Sequence, residues 1–337
     1  YEILSKGLLK KNTVLGTSLI DMYAKCGVLT KAKDVLEEIL VRDVISWNAM
    51  ISAYAQHRQG HEALNCFQRM ESEGFAPDVV TFICILMACG STGAIEKGHQ
   101  IHEKIVSGGF LEKDVMVGAA LVDMYAKCGM FTKAKKLLQD LPIRNTICWN
   151  ALIAGYAKQG LGREALTCFE QMQREGFSPD DITFLCILTS CSHSGQLDEA
   201  QEIFGDMSIK YGINPSIEHL SCIVIALGCA GHFDKALAVI KAMPSSDYLA
   251  VWIALLRACR KWGNVELGRL AFDQTIQLNS SCSLAYVFMA NIFADAGMKE
   301  DEEKVEAMRL KYAAFRKQET DVWTDDIGNV HSSFTAG

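Results

Sequence analysis

The sequence predicts an all-α fold, a right-handed α-solenoid superhelix of helix-turn-helix repeats. Three observations carry it. The chain matches itself 102 residues out of register; it holds only 5 prolines in 337 residues, with 9% aromatics; and its apolar runs come in pairs joined by glycine-containing turns. The self-match is dense. DMYAKCG at residues 21–27 returns at 123–129, and Trp47-Asn48-Ala49 returns as Trp149-Asn150-Ala151. Residues 63–78 (ALNCFQRMESEGFAPD) return at 165–180 as ALTCFEQMQREGFSPD. A helix pair cannot bury its apolar face alone, so units of this kind stack and complete each other's core. A short β-hairpin is allowed at the extreme C-terminus.

Each round divides into units of 31, 35 and 36 residues: 13–43, 44–78 and 79–114, then 115–145, 146–180 and 181–216. A further short unit covers 217–247, and 248–337 reads as a helical extension with a different signature. In the first helix of unit 44–78, Trp47, Met50, Ile51 and Tyr54 form an apolar stripe, and Trp149, Leu152, Ile153 and Tyr156 repeat it. These are core positions. A second stripe, Ile45, Asn48, Ser52 and Gln56, steps by three and four and shares a different face. Its counterparts are Val14, Thr17, Asp21 and Lys25; Met116, Ala119, Asp123 and Lys127; and Ile147, Asn150, Ala154 and Lys158. Each stripe offers an aliphatic, most offer a small hydrogen-bonding residue, and three of the four end on a lysine. Val14, Ile45, Met116 and Ile147 can wedge against base faces. The amide or hydroxyl can meet a base edge, and Lys25, Lys127 and Lys158 can meet phosphate. A solvated concave surface, or one that binds protein, fits the same periodicity.

Charge narrows the choice of partner. Lys plus Arg number 33 and Asp plus Glu 40, a formal charge of −7. A protein that coats phosphates indiscriminately is usually basic, so a nucleic-acid role must rest on a local face. The longest clean apolar stretch, residues 222–230, is far short of the roughly 20 residues a bilayer needs. The first dozen residues are too short and polar for a signal peptide.

No chemistry-bearing constellation is present. Of 13 cysteines, Cys26, Cys66, Cys84 and Cys89 recur as Cys128, Cys168, Cys186 and Cys191, the behaviour of a small apolar filler at repeat positions. There is no C-x-x-C, and residues five apart, such as Cys84 and Cys89, lie roughly 140° apart round a helix. Free thiols in this number fit a reducing compartment. His99 and His102 form an H-x-x-H without an evident third ligand. The acidic run at 300–303 suits a solvated helix start. Phosphate loops, nucleophile elbows and metalloprotease motifs are lacking. No catalytic residue, metal or cofactor is expected.

Units near 35 residues with VxxWNxxIxxYA and GFxPD signatures resemble pentatricopeptide repeats, and the 31/35/36 pattern resembles the plant PLS subclass. The likeness covers essentially the whole chain. Residues 1–12 then read as the remnant of an upstream long-type repeat. Residues 251–268 and 285–305 resemble the two E motifs that follow PLS arrays, and the tail 322–337 resembles the end of the second E motif, though it lacks the usual Pro-Gly before Trp323. The resemblance implies that a base is read by the fifth residue of a unit together with its last. Those pairs are Thr17/Asp43, Asn48/Asp78, Ala119/Asn145, Asn150/Asp180 and Ser221/Asp247. It implies guanosine for Thr or Ser with Asp and uridine for Asn with Asp, while Ala119/Asn145 departs from the pattern. Ile83 and Leu185, at the fifth place of the long units, look like spacers or partner surfaces.

The resemblance further implies a single-stranded RNA partner, one base per repeat, and a mitochondrial or chloroplast location. It implies site recognition in plant organellar cytidine-to-uridine editing, with protein partners met through the long units and E motifs. A deaminase of the DYW type, in cis or in trans, would supply the chemistry. That domain's H-x-E and C-x-x-C are absent, and the chain stops about where it would begin, so this chain is expected to be catalytically silent. The rivals are a tetratricopeptide-like protein-interaction scaffold, favoured by the acidic charge, and an RNA stability or cleavage factor.

Overall fold

The computed structural model describes residues 12–242 and 249–311. Most of the upstream remnant, Asp247 and the C-terminal tail, for which a hairpin is allowed, lie outside the described residues. Those described form two compact units that divide between Ser190 and Cys191, and among them every regular element is a helix.

The first unit holds α1 (Thr13–Lys25), α2 (Leu29–Glu38), α3 (Val44–Gln56), α4 (Gly60–Ser72), α5 (Val79–Thr92), α6 (Ile95–Ser107), α7 (Val115–Lys127), α8 (Phe131–Asp140), α9 (Thr146–Lys158), α10 (Gly162–Arg174) and most of α11 (Asp181–Ser194). The second holds α12 (Leu197–Ile209), α13 (Ile217–Cys229), α14 (Phe233–Ala242), α15 (Leu249–Trp262), α16 (Val265–Leu278), α17 (Ser283–Asp295) and helical residues 299–311.

The same local rules set the ends of successive helices. Asp43, Asp78, Asp114 and Asn145 are the N-caps of α3, α5, α7 and α9, each accepting a backbone N–H of the first turn. Such caps are worth about 1 kcal/mol each. At the C-terminal ends of α1 and α7, Gly27 and Gly129 adopt φ of 73° and 74°, the left-handed conformation that glycine enters without strain.

Within the first unit, odd-numbered helices stack side by side from α1 to α9, and each packs against its even-numbered partner. Gly155 marks how close they come, since a β-carbon there would lie 2.4 Å from Ala126 Cβ. Trp47, Met50 and Ile51 are fully buried, and Tyr54 is 6% exposed; Trp149, Leu152, Ile153 and Tyr156 repeat this. Each tryptophan contributes at most about 4–6 kcal/mol of transfer free energy. In the second unit α13 packs on α15 and α15 on both α16 and α17. No helix among the described residues is long and apolar enough to cross a membrane.

Candidate nucleic-acid interface

The fifth residue of a unit sits on the second turn of its first helix, and the last residue caps the next unit's first helix. Stacking of α3 on α5 therefore brings Asn48 to Asp78. Asn48 Nδ2 donates to Asp78 Oδ1 at 2.9 Å, and Thr81 Oγ1 donates to Asn48 Oδ1 at 2.6 Å. Thr81 N–H also donates to Asp78 Oδ1, at 2.9 Å. The arrangement returns 102 residues on. Asn150 Nδ2 donates to Asp180 Oδ1 at 2.9 Å, Thr183 Oγ1 to Asn150 Oδ1 at 2.6 Å, and Thr183 N–H to Asp180 Oδ1 at 2.8 Å. Both asparagines are 6% exposed. Each amide is thus fixed, with one Nδ2 hydrogen left over. Burial pushes the Asp78 carboxyl up, but hydrogen bonds from the Thr81 N–H, the Asn48 amide and the Thr81 hydroxyl outweigh it and hold the group below the ordinary carboxylate range. Asp78 is therefore a charged acceptor at neutral pH.

The other expected pairs are arranged differently. Thr17 Oγ1 donates back to Thr13 O at 3.0 Å. Asp43 Oδ1 accepts Ser46 N–H at 2.8 Å, and the Ser46 hydroxyl turns to Asp43 O at 2.8 Å. Thr17 and Asp43 are therefore not joined by a hydrogen bond of the kind that links Asn48 to Asp78. Ala119 is 4% exposed and has nothing to donate, while Asn145 Oδ1 caps at Cys148 N. Ser221 Oγ donates to Ile217 O at 2.8 Å, and its partner Asp247 is outside the described residues.

The aliphatic positions lie open beside this buried polar row. Val14 is 77% exposed, Ile45 65%, Met116 40% and Ile147 43%. Met116, Ala119, Ile147 and Asn150 come together round one apolar cavity of about 300 Å³, whose wall also includes Ile83, Asp123, Ala154, Ile182 and Cys186. The three lysines are unequal. Lys25 pairs with Asp21 and Lys127 with Asp123, each at 2.6 Å, whereas Ala154 occupies that place one turn before the exposed Lys158.

Thr81 and Thr183 are the residues that sequence reasoning missed. Their signal was a hydroxyl three places after Asp78 and Asp180, which reads first as a capping box. His102 Nδ1 lies 2.9 Å from Tyr125 Oη, His99 packs near the same ring, and among the described residues no three ligating side chains cluster. Burial raises the Cys89, Cys191 and Cys259 thiols to about 12, so they are inert at neutral pH.

Known proteins resemble this chain in sequence and in fold. The PPR repeat family model matches residues 42–91 and 144–193, a PPR repeat model matches 17–44, 120–145 and 182–210, and an E motif model matches 262–319. A mitochondrial pentatricopeptide repeat-containing protein of Arabidopsis thaliana is 36% identical over 332 residues, 98% of this chain and 53% of that protein. The pentatricopeptide repeat-containing protein DOT4 of the same plant, described as chloroplastic, is 37% identical over 314 residues, 93% of this chain and 36% of its own length. The chain spans about half the length of the first and about a third of the second. Among solved structures, the pentatricopeptide repeat protein PPR10 in complex with an 18-nt psaJ RNA element aligns at a TM-score of 0.68 with 17% identity, over 93% of this chain and 47% of that one. PPR10 from maize aligns at 0.53 with 19% identity, over 88% and 49%. These likenesses give the fold class, an α-solenoid of helix pairs.

Proposed function

Because the chain belongs to the pentatricopeptide repeat family and carries an E motif, we propose that it binds single-stranded RNA in a sequence-specific way and serves as a site-recognition factor for organellar cytidine-to-uridine editing. The observation that carries RNA reading is the twice-repeated arrangement of an amide locked against a carboxylate, Asn48/Asp78 and Asn150/Asp180, beside open aliphatics. Its chemistry suits uracil. The spare Nδ2 hydrogen donates to a ring carbonyl, and the carboxylate accepts the imino N–H. Ile45, Met116 and Ile147 supply faces for bases to lie on.

The alternating 31, 35 and 36-residue units support the PLS subclass, with unit boundaries at 13, 44, 79, 115, 146, 181 and 217. In this reading Thr17/Asp43 and Ser221/Asp247 take guanosine, and Lys25, Lys127 and Lys158 face phosphate. The solved RNA complex of PPR10 supports the RNA partner. The mitochondrial and chloroplastic relatives support an organelle. The E motif supports the editing role, with the deaminase supplied by another domain or protein and no catalysis by the residues described.

Competition binding to a randomised single-stranded RNA pool tests the reading. Enrichment of uridine at the two bases facing Asn48 and Asn150 supports it. Affinity for peptides with none for RNA would install the scaffold reading instead, which the −7 charge favours.

A further inference from the structure

The asparagine amides are held from two sides, and the second hold comes from the following unit. Thr183 Oγ1 accepts the Asp180 N–H at 3.1 Å, so its one proton is free to be donated. The nearest acceptor is Asn150 Oδ1 at 2.6 Å, closer than Asp180 Oδ1 at 2.8 Å. Thr81 does the same for Asn48, at 2.6 Å and 2.9 Å. A capping box needs the threonine N–H as donor to the Asp and its hydroxyl oxygen as acceptor of the Asp N–H; it does not need the hydroxyl proton to reach across to another helix pair. In the units that end at Asp43 and Asn145, which lack an asparagine reader, the equivalent side chain makes no hydrogen bond with the reader. Ser46 turns its hydroxyl onto Asp43 O, and beyond Ala119 the equivalent place is Cys148, whose thiol faces Val115 O at 4.0 Å.

We propose that Thr183 and Thr81 are positioning residues for base selection: their hydroxyls hold the carbonyl oxygens of Asn150 and Asn48 inward, so that each reader shows the base an N–H and selects uracil against cytosine. The proposal rests on the RNA reading above. Uracil offers a carbonyl beside its imino N–H, the complement of an amide donor beside a carboxylate. Cytosine offers an amino group beside an unprotonated ring nitrogen, the opposite order. A carboxamide shows either order depending on which end faces out. Asn150 is 6% exposed. With the hydroxyl gone its buried carbonyl has no donor, and an unsatisfied buried acceptor turns toward water or any available donor. The outward carbonyl then accepts from the cytosine 4-amino group.

The test uses the full chain and RNAs that differ only as U or C at the base facing Asn150. The unaltered protein is expected to prefer U by about tenfold, within the range of single-position discrimination in specific sites. Thr183→Val, which keeps the shape and the backbone N–H to Asp180 Oδ1 but gives up the hydroxyl that accepts the Asp180 N–H, should bring that ratio close to 1. Thr183→Ser should retain it, and the ratio at the base facing Asn48 should stay as it was. Thr81→Val should show the mirror result, an independent check should either variant fold poorly. An unchanged U:C ratio in both valine variants overturns the proposal, as does a loss of affinity equal for both RNAs, because that is the mark of a merely structural threonine. If the unaltered protein binds neither RNA, the RNA reading falls and takes the proposal with it; intact uridine preference with indifferent valine variants overturns the proposal alone.

Discussion

Asn150→Thr is the most informative perturbation of the proposed RNA face. The change removes the amide that donates to Asp180 at 2.9 Å and accepts from Thr183 at 2.6 Å. A threonine at this place of a first helix already exists at Thr17, whose hydroxyl donates four residues back to Thr13 O at 3.0 Å. The same geometry at position 150 commits the new hydroxyl proton to Thr146 O, so only oxygen lone pairs face the base. Reader and carboxylate then form two acceptors, which match the N1–H and 2-amino donors of guanine and no longer match uracil O4. The side chain is also shorter, leaving room for a purine. Discrimination should move from uridine to guanosine by roughly 1–3 kcal/mol, about five- to 150-fold, at that one base. The fold loses one charge-assisted and one neutral hydrogen bond, roughly 2–4 kcal/mol before compensation. Thr183 recovers part of this by redirecting its hydroxyl to Asp180 Oδ1, 2.8 Å away. Competition binding with paired oligonucleotides reads the ratio, and thermal melting reads the stability. An unchanged U:G ratio with overall binding intact refutes the assignment of Asn150 as a reader.

Three further outcomes are expected. Lys158→Ala should weaken all RNAs alike and flatten the salt dependence; binding titrations at several salt concentrations check it. Ile147→Ala should weaken binding by roughly 1 kcal/mol without changing base preference, since it trims a half-exposed face and no hydrogen-bonding group; the same competition assay reads it. The Asp78 carboxyl is held low in the folded chain, so its contribution to stability is present above the ordinary aspartate range, about pH 4, and is lost as pH falls through its depressed value; denaturant melts across pH should show this loss in the unaltered protein and less of it in Asp78→Asn.

Most of the fold was legible because it is written twice. Trp47 and Trp149, or Gly27 and Gly129, occupy equivalent environments 102 residues apart, so periodicity reported burial and turn conformation together. The candidate site was legible only in part, for a physical reason. Face periodicity places Asn48, Asn150 and Thr17 on one side of their helices, but says nothing of which atoms their side chains engage. Asn48 reaches the next unit's cap, while Thr17, with a shorter branched side chain, closes on its own helix at Thr13 O. The closing aspartates were equally ambiguous. Asp43, Asp78 and Asp114 cap helices whether or not anything is read, so capping preference alone accounts for their identity. What separates Asp78 and Asp180 is the cross-unit amide, a contact no local pattern records.

The same geometry explains how an acidic chain could hold a polyanion. On the proposed reading stripe Lys25 and Lys127 each share their charge with an aspartate one turn earlier before they can meet phosphate, and Lys158 does not. If the proposed RNA reading holds, the net charge that stripe brings to phosphate is close to one rather than the roughly 6–10 contacts of proteins that grip a duplex backbone, and the slope of affinity against salt should be correspondingly shallow. Affinity must then accumulate from base contacts, roughly 1–3 kcal/mol for each base that is stacked and read. Such a surface discriminates strongly for its affinity, because little of its binding energy is indifferent to sequence. It also ties affinity to the number of readers. On the proposed reading, two locked asparagines separated by the apolar Ile83 and Ala119 positions should bind weakly by themselves, and each further polar unit stacked in register should strengthen the grip only where the RNA carries the matching base.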